Sequence, residues 1–172
     1  MNTDGSSEGV LSPGPRAPWM RRPWGKFLLY WLPVILWCAV IFGFSSDSGS
    51  SRHSSRIIGP LLRWMFPGIA EATVDRVHTG VRKLSHVSEY ALLAMLAWRA
   101  RRKPAFSVGA PWRRNEALFA LVFCALFAAT DEIHQLFVPS REGRVLDVLI
   151  DSTGAAAGVL LVWAWGRWRK RW

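Results

Sequence analysis

The sequence predicts an all-α protein, an integral membrane bundle of about four transmembrane helices with both termini in the cytoplasm. Composition and charge pattern predict this fold class. Hydrophobic residues make up 51% of the 172-residue chain and eleven residues are Trp, while the charged residues are gathered in blocks between apolar runs. A soluble domain spreads its charge over its surface, whereas a membrane protein alternates apolar spans with charged loops.

The strongly basic balance of the chain points to the same class. The formal net charge is +10, a value that is also typical of proteins that bind nucleic acid. Here, however, Lys and Arg cluster beside the apolar runs, as they do in the loops of membrane proteins. We therefore predict membrane lipids as partners and no nucleic-acid partner.

The first span is predicted over residues 27–44, after a disordered tail of residues 1–24. The eighteen residues of this span carry no charge. They would form about 27 Å of helix, enough to cross the hydrocarbon core. Pro33 lies in the first half, where neighbouring helices can satisfy the carbonyl that it frees. The tail is rich in Gly, Ser and Pro, a composition that buries too little apolar surface to fold.

A mixed segment, residues 48–82, follows the first span. Within it, residues 54–66 place apolar side chains at helical spacing and arginines elsewhere. This pattern predicts either a helix that lies in the membrane interface or an ordered loop over the bundle. Pro60 weakens the helical alternative because it lacks a backbone N–H.

The second and third spans are too short unless they include polar residues. The apolar run of residues 90–98 gives about 14 Å of helix, and that of residues 117–129 gives about 20 Å. A helix that crosses about 30 Å of hydrocarbon must be longer. We therefore predict one helix over residues 80–100 with a polar outer half. The third helix is predicted to continue through residues 131–137.

The fourth span is predicted over residues 146–165. Asp147, Asp151, Gly154 and Gly158 fall on one row of this helix. The small residues allow a neighbouring helix to approach closely, so the two carboxylates should face that neighbour and not lipid. The predicted membrane domain covers residues 25–168, and a basic tail covers residues 169–172.

The distribution of Lys and Arg predicts the orientation. The N-terminal flank carries four, the loop of residues 99–114 carries six and the C-terminal flank carries four. The first loop carries six when counted through Lys83, and the turn of residues 138–145 carries two, over a greater length. The positive-inside rule then places both termini in the cytoplasm and the first loop and the turn outside.

This topology brings many polar residues into one layer at the outer face. Ionisable groups at membrane depth are costly, so they are usually paired or functional. Asp131, His134 and Gln135 also share one face of the third span. The candidate catalytic residues are His86, Asp131 and His134; the candidate binding residues are Lys83, Tyr90, Glu132, Gln135, Arg141, Arg144, Asp147 and Asp151.

Three kinds of function fit this set of residues. In an enzyme, a histidine acts as general acid or base and is oriented by an aspartate, while Arg141 and Arg144 hold a phosphate or carboxylate. In a binding protein, the same groups form a polar pocket for a lipid head group or peptide. In a scaffold, they form a satisfied polar network that sets the helix register.

Metal and thiol chemistry find less support in the sequence. Histidines and aspartates are acceptable metal ligands, but their spacing matches no strong metal motif. The metal question is therefore open, and no cofactor is predicted. Cys38 and Cys124 both fall inside apolar runs, which favours buried thiols over a disulfide.

Taken together, these motifs resemble the VanZ-like family of small membrane proteins. The resemblance lies in Lys83-x-x-His86-x-x-x-Tyr90, in residues 131–137 with the sequence DEIHQLF, in Pro139 and Arg141, and in Asp147 and Gly154 on the fourth span. It covers roughly residues 27–165. One departure is Asp151, where the family pattern leads us to expect Asn.

The resemblance implies a multi-pass helical protein of the bacterial cytoplasmic membrane. The namesake of the family is associated with low-level resistance to the glycopeptide antibiotic teicoplanin. A cell-wall or lipid-linked anionic ligand at the outward-facing site is therefore the expected partner. An enzyme that acts on a lipid-linked envelope precursor and a scaffold without a ligand are the alternatives. The resemblance implies neither a particular reaction nor an oligomeric state.

Overall fold

The computed structural model describes residues 23–45, 52–102, 110–138 and 143–172. Within these ranges the chain contains helices and no strand, so the all-α prediction is confirmed. The helices are α1 (Pro23–Ser45), α2 (Arg52–Met65), α3 (Glu71–Arg102), α4 (Arg114–Gln135) and α5 (Val145–Trp168). The predicted disordered tail lies outside the described residues except for its last two, with which α1 begins.

In the described part of the chain, three helices are long and apolar enough to cross a membrane by length and composition. These segments are Phe27–Ser45 in α1, Arg114–Gln135 and Val145–Trp168. Large apolar side chains on their outer faces remain exposed, for example Leu36 at 57% and Leu126 at 65%. A soluble protein rarely exposes so much contiguous apolar surface, which is typical of contact with lipid.

Helix α3 is longer than the sequence predicts. It begins at Glu71, before the expected residue 80, and its 32 residues give a helix of about 48 Å. The turn before it uses Gly68, whose φ of 95° is a conformation that glycine adopts without a steric penalty. The mixed segment therefore supplies both the first turns of α3 and a separate helix.

Helix α2 shows that the predicted segment is helical up to Met65 and is not an ordered loop. Pro60 lies inside this helix. Arg63 ties the end of α2 to the start of α3, with its Nη2 donating to Glu71 Oε2 at 2.7 Å. The predicted position of α2 in the membrane interface stays a prediction.

The start of α1, the end of α3, the start of α4 and the end of α5 meet at one end of the bundle, here called the basic end. The Arg99 guanidinium lies 5.5 Å from the centre of the Tyr30 ring, which joins α3 to α1. The Trp98 ring lies 5.6 Å from that of Trp112 and 6.0 Å from that of Trp172. The first and last described helices thus have their outer termini at the same end.

The opposite end, here called the polar end, contains the end of α1, the first half of α3, the end of α4 and the start of α5. Ser45 and Asp131 are joined there by a hydrogen bond. His86 and Asp151 approach each other at the same end. Four helices therefore contribute polar side chains to one layer.

Close packing of α3 on α5 holds the polar end together, and glycine makes it possible. A Cβ added at Gly154 would overlap the backbone of Val87, and one added at Gly158 would overlap the backbone of Ala91. The structure therefore shows the close approach that the row of small residues predicts. Because Asp151 lies one turn before Gly154, the same contact carries its carboxylate to α3.

The chain terminus also packs against the bundle. Arg171 N–H donates to the Gly166 carbonyl and Lys170 N–H to the Arg167 carbonyl, the two bonds of a Schellman motif. Lys170 takes the left-handed position with φ 50°. This turn directs Trp172 onto the hydrophobic core, so the last residue of the predicted basic tail has a packing role.

Candidate functional site

A small cleft opens at the polar end between α3, α4 and α5. Six of the eleven predicted site residues line it. The space open to the centre of a water molecule is about 10 Å³, roughly the room that one water needs. The lining residues are Arg82, Lys83, His86, Glu132, Gln135, Asp147, Ile150 and Asp151.

His86 and Asp151 form the ionic contact of this cleft. His86 Nδ1 lies 3.4 Å from Asp151 Oδ1, and the Asp151 side chain is only 1% exposed. In the described part of the chain neither Asp151 oxygen has a hydrogen-bond partner. The contact is thus an ion-pair approach without hydrogen-bond geometry. A buried carboxylate with one basic side chain nearby depends strongly on that partner.

Asp131 is fixed by a hydrogen-bond network between α1 and α4. The Ser45 hydroxyl donates to Asp131 Oδ2 at 2.9 Å. Gln135 Nε2 donates to the Ser45 oxygen at 2.8 Å and to Asp131 Oδ2 at 3.2 Å. Because the network is buried, each bond satisfies a group that water cannot reach. The network sets the position of α1 relative to the cleft.

Glu132 connects the end of α4 with the start of α5. Its Oε1 accepts from Gln135 Nε2 at 3.3 Å, and its Oε2 accepts from the Arg144 backbone N–H at 2.7 Å. Gly143 permits the close approach, since a Cβ there would overlap the Glu132 carbonyl. The carboxylate thus holds the segment that leads into α5.

Polar atoms below the cleft retain hydrogen-bonding capacity. Among the residues that the structure describes, Tyr90 Oη and Asp131 Oδ1 are buried without a partner. Both residues are 0% exposed. Buried polar groups nearly always find a partner in folded proteins, so unsatisfied ones are characteristic of functional sites or of sites for ordered water.

Four of the predicted site residues that the structure describes are not part of the cleft lining, namely Tyr90, Asp131, His134 and Arg144. The His134 ring stacks on Phe42 of α1 with centroids 4.1 Å apart, so it faces α1 and its catalytic role stays a prediction. The Arg144 side chain is exposed, and the Arg144 backbone N–H donates to Glu132 Oε2. Arg141 lies outside the described residues.

Sequence reasoning missed three residues of this site, of which Ile150 is an apolar part of the lining. Ser45 contacts Asp131 across 86 positions of sequence, and as the first residue after an apolar run it carries no signal for that contact. Arg82 lines the cleft and could have been found, because it lies four residues before His86 on the same face of the helix.

The described residues contain no group of three or more His, Cys, Asp or Glu side chains that could hold a metal ion. Cys38 and Cys124 are free thiols, as the sequence predicts. The polar groups that line the cleft are imidazole, carboxylate, amide and cationic side chains.

A comparison with protein families gives a match over most of the chain. The model described as VanZ/LLP1 matches residues 29–166. No curated protein and no solved structure matches the chain. The matched range contains every residue of the cleft and of the hydrogen-bond network. The resemblance to the VanZ-like family is confirmed, and the chain belongs to the VanZ/LLP1 family.

Proposed function

We propose that the protein is a multi-pass protein of the bacterial cytoplasmic membrane, with α1, α3, α4 and α5 crossing it and the polar end facing outward. The three apolar helices support membrane insertion. Helix α3 lies against α5 through Val87 and Ala91, so it should share the depth of its neighbour. Arginines and lysines concentrate at the basic end, which favours a cytoplasmic location for that end.

Cysteine labelling tests this orientation. Thr79 is exposed near the polar end, and Arg167 is exposed at the basic end. In whole cells, a membrane-impermeant maleimide should label Thr79→Cys and should label Arg167→Cys only after the membrane is opened. Labelling of Arg167→Cys in whole cells, with Thr79→Cys labelled only after the membrane is opened, would contradict the orientation.

The cleft is proposed to bind the anionic head group of a cell-wall or lipid-linked ligand. The observation that carries this proposal is which charged side chains of the cleft are already paired and which are not. Asp151 is matched by His86, and Glu132 accepts two hydrogen bonds. Arg82 and Lys83 are exposed and make no ion pair within the described residues. Two cations are thus available to an anion and the acids Glu132 and Asp151 are held by the protein, which leaves Asp147 as the one opposing carboxylate in the lining without an ion pair among the described residues.

The surroundings of the cleft support a ligand with a lipid tail. Leu84 follows Lys83 on α3, Leu136 follows Gln135 at the end of α4, and Leu146 precedes Asp147 on α5. All three leucines are more than 60% exposed, at 66%, 65% and 68% respectively. An apolar chain could therefore lie beside the polar mouth. A polyprenyl phosphate requires such a surface for its chain when its head group is in the cleft.

A titration with polyprenyl phosphate in nanodiscs tests the proposal. The Arg82→Gln/Lys83→Gln variant should bind about tenfold or more weakly, because a hydrogen bond to a charged group contributes at least about 1.5 kcal/mol. Arg76→Gln is the matched control, since Arg76 is exposed on α3 and donates to the carbonyl of Ala72 on its own helix. Equal affinity in all three proteins would contradict the proposal.

Family membership extends the proposal to glycopeptide resistance. If the cleft acts on a cell-wall ligand, bacteria that express the protein should tolerate more teicoplanin than bacteria with an empty vector. The Arg82→Gln/Lys83→Gln variant should lose this difference at equal protein level. The measurement is the minimal inhibitory concentration. An unchanged concentration with the wild type would contradict this extension.

A second candidate is an enzyme that acts on a lipid-linked precursor. The observation in its favour is the His86–Asp151 contact in a cleft with room for about one water molecule. A histidine oriented by a carboxylate is suited to accept a proton from water that attacks the terminal phosphorus of a diphosphate, with polyprenyl phosphate as the leaving group. Release of phosphate from polyprenyl diphosphate by the wild type, lost in His86→Ala with binding retained, would support this candidate. Ligand binding without turnover would exclude that reaction.

A further inference from the structure

A second charged cleft lies at the basic end, far from the site described above. It opens between the end of α3 and the start of α4. Four arginines line it together with one asparagine and one glutamate: Arg101, Arg102, Arg113, Arg114, Asn115 and Glu116. The cleft is therefore basic even before its internal pairing is considered.

One of the four arginines is already used by the protein. Arg102 Nη1 donates to Glu116 Oε2 at 2.9 Å, and the Arg102 side chain is 3% exposed. Its Nη2 donates to the Ala110 carbonyl at 3.0 Å. Glu116 thus compensates the charge of Arg102, and the pair joins the end of α3 to the start of α4. Arg102 Nε remains buried without a hydrogen-bond partner among the described residues.

The other three arginines are not compensated. Arg101, Arg113 and Arg114 are exposed, and within the part of the chain that the structure describes none of them makes an ion pair. The Arg101 guanidinium lies 5.5 Å from the centre of the Phe119 ring, which holds it against α4. Three positive charges therefore face one opening.

The start of α4 adds to this positive field. Arg113 occupies the N-cap position and its side chain makes no capping hydrogen bond. Uncapped N–H groups and the helix dipole both favour an anion at this position. The arginine side chains and the helix terminus thus act on the same point.

An apolar stripe continues from the cleft along α4. Leu118, Val122 and Leu126 recur at intervals of four residues and are 59%, 50% and 65% exposed. Trp98, Trp112 and Trp172 pack at the same end of the bundle, as aromatic residues do at membrane interfaces. An amphipathic ligand fits this arrangement better than a free anion does, since the stripe offers surface for an acyl chain.

From this arrangement we propose that the basic cleft binds an anionic phospholipid, with its phosphate between Arg101, Arg113 and Arg114 and an acyl chain along the stripe on α4. Charge complementarity selects an anionic head group over a zwitterionic one. The site rests on the proposed insertion of α4 in the membrane, but it lies at the opposite end from the polar cleft and does not depend on the ligand proposed there.

Native mass spectrometry of the full chain tests this site. The protein is released from nanodiscs that contain phosphatidylglycerol as a minor component in phosphatidylcholine, and the retained lipids are identified. The wild type should retain phosphatidylglycerol preferentially. Each arginine near an anionic surface is worth about a fivefold change in affinity, so Arg113→Gln/Arg114→Gln should reduce the retention about 30-fold.

Two further variants serve as controls. Arg167→Gln removes an exposed charge at the same end but outside the cleft, and it should leave retention unchanged. Arg113→Lys/Arg114→Lys keeps the charge and should preserve most of the retention. Equal retention in the Gln and Lys double variants would overturn the proposal. So would binding of inorganic phosphate without enrichment of phosphatidylglycerol, because that result identifies a site for the free anion.

Discussion

His86 Nδ1 and Asp151 Oδ1 lie 3.4 Å apart, and Asp151 lies one turn before Gly154, where α5 packs on the backbone of α3. The distance follows from packing, since Gly154 lets α5 lie directly on the backbone of Val87. The two residues therefore couple the fold to the cleft. A change to Gly154 or Gly158, or to the ion pair, should therefore affect both the packing of α5 on α3 and the cleft.

The His86–Asp151 contact should be asymmetric in its effect on stability. His86→Ala leaves a buried carboxylate without its cationic partner, and such a loss costs about 3 kcal/mol or more. Asp151→Asn removes the charge and keeps the shape, so it should cost less. The double variant should be more stable than His86→Ala alone. Thermal unfolding in detergent measures these differences.

His78→Ala is the matched control for this series, because His78 is partly exposed in α3. It should change the unfolding temperature little. If His86→Ala lowers the unfolding temperature equally with and without Asp151→Asn, the ion pair does not determine the loss of stability.

The glycine row should tolerate no added carbon. Gly158→Ala places a Cβ into the backbone of Ala91, and overpacking of this kind costs about 1–3 kcal/mol. Gly80→Ala is the control, since nothing lies within 4 Å of a Cβ at that position of α3. Alanine has the higher helix propensity, so the control should be neutral or stabilising. If both variants unfold at the same temperature, the close packing of α3 on α5 is not essential.

Ser45 should contribute more to stability than a typical serine. Ser45→Ala removes the hydroxyl that donates to Asp131 and accepts from Gln135. Leaving buried partners without a hydrogen bond lowers the free energy of unfolding by about 1–3 kcal/mol. Ser88→Ala removes an exposed hydroxyl that donates to the Leu84 carbonyl, and it should cost less than about 0.5 kcal/mol. Denaturant or thermal unfolding of the two variants compares these costs, and similar losses would argue against the buried network.

The corner between α2 and α3 should loosen at acidic pH. Hydrogen bonds from Arg63 hold the pKa of Glu71 below its ordinary value. A carboxylate with a lowered pKa stabilises the folded state above its ordinary pKa and loses that contribution as pH falls through the folded value. Hydrogen exchange in residues 58–66, corrected for intrinsic rate, should rise below about pH 4 in the wild type. Glu71→Gln should exchange faster already at neutral pH, and the absence of that difference would contradict the prediction.

Run lengths and charge spacing were sufficient to predict most of the fold. The apolar runs located α1, α4 and α5, because a helix must be long and apolar to cross lipid. The start of α3 was misplaced, since its first turns are polar and lie beyond the length that a span requires. The row from Asp147 to Gly158 predicted close helix packing, because small residues in a membrane helix have few other uses.

The sequence was sufficient to predict which layer of the bundle contains the candidate site, but not which residues of the site contact each other. The shortness of the apolar runs near His86 and Asp131 placed both at one end. Spacing alone could not show which way His134 turns, and its ring lies on Phe42 of α1. The hydrogen bond from Ser45 to Asp131 joins residues 86 positions apart, and only the tertiary packing of α1 on α4 brings them together.

Native mass spectrometry can show whether the polar cleft holds an anionic ligand. The protein is purified from its own membrane without added ligand. The wild type is compared with Arg82→Gln/Lys83→Gln and with the Arg76→Gln control. A phosphate-bearing lipid is expected on the wild type and the control, and it should be lost from a double variant that remains folded. The same bound species on all three proteins, or none on any of them, would contradict the claim.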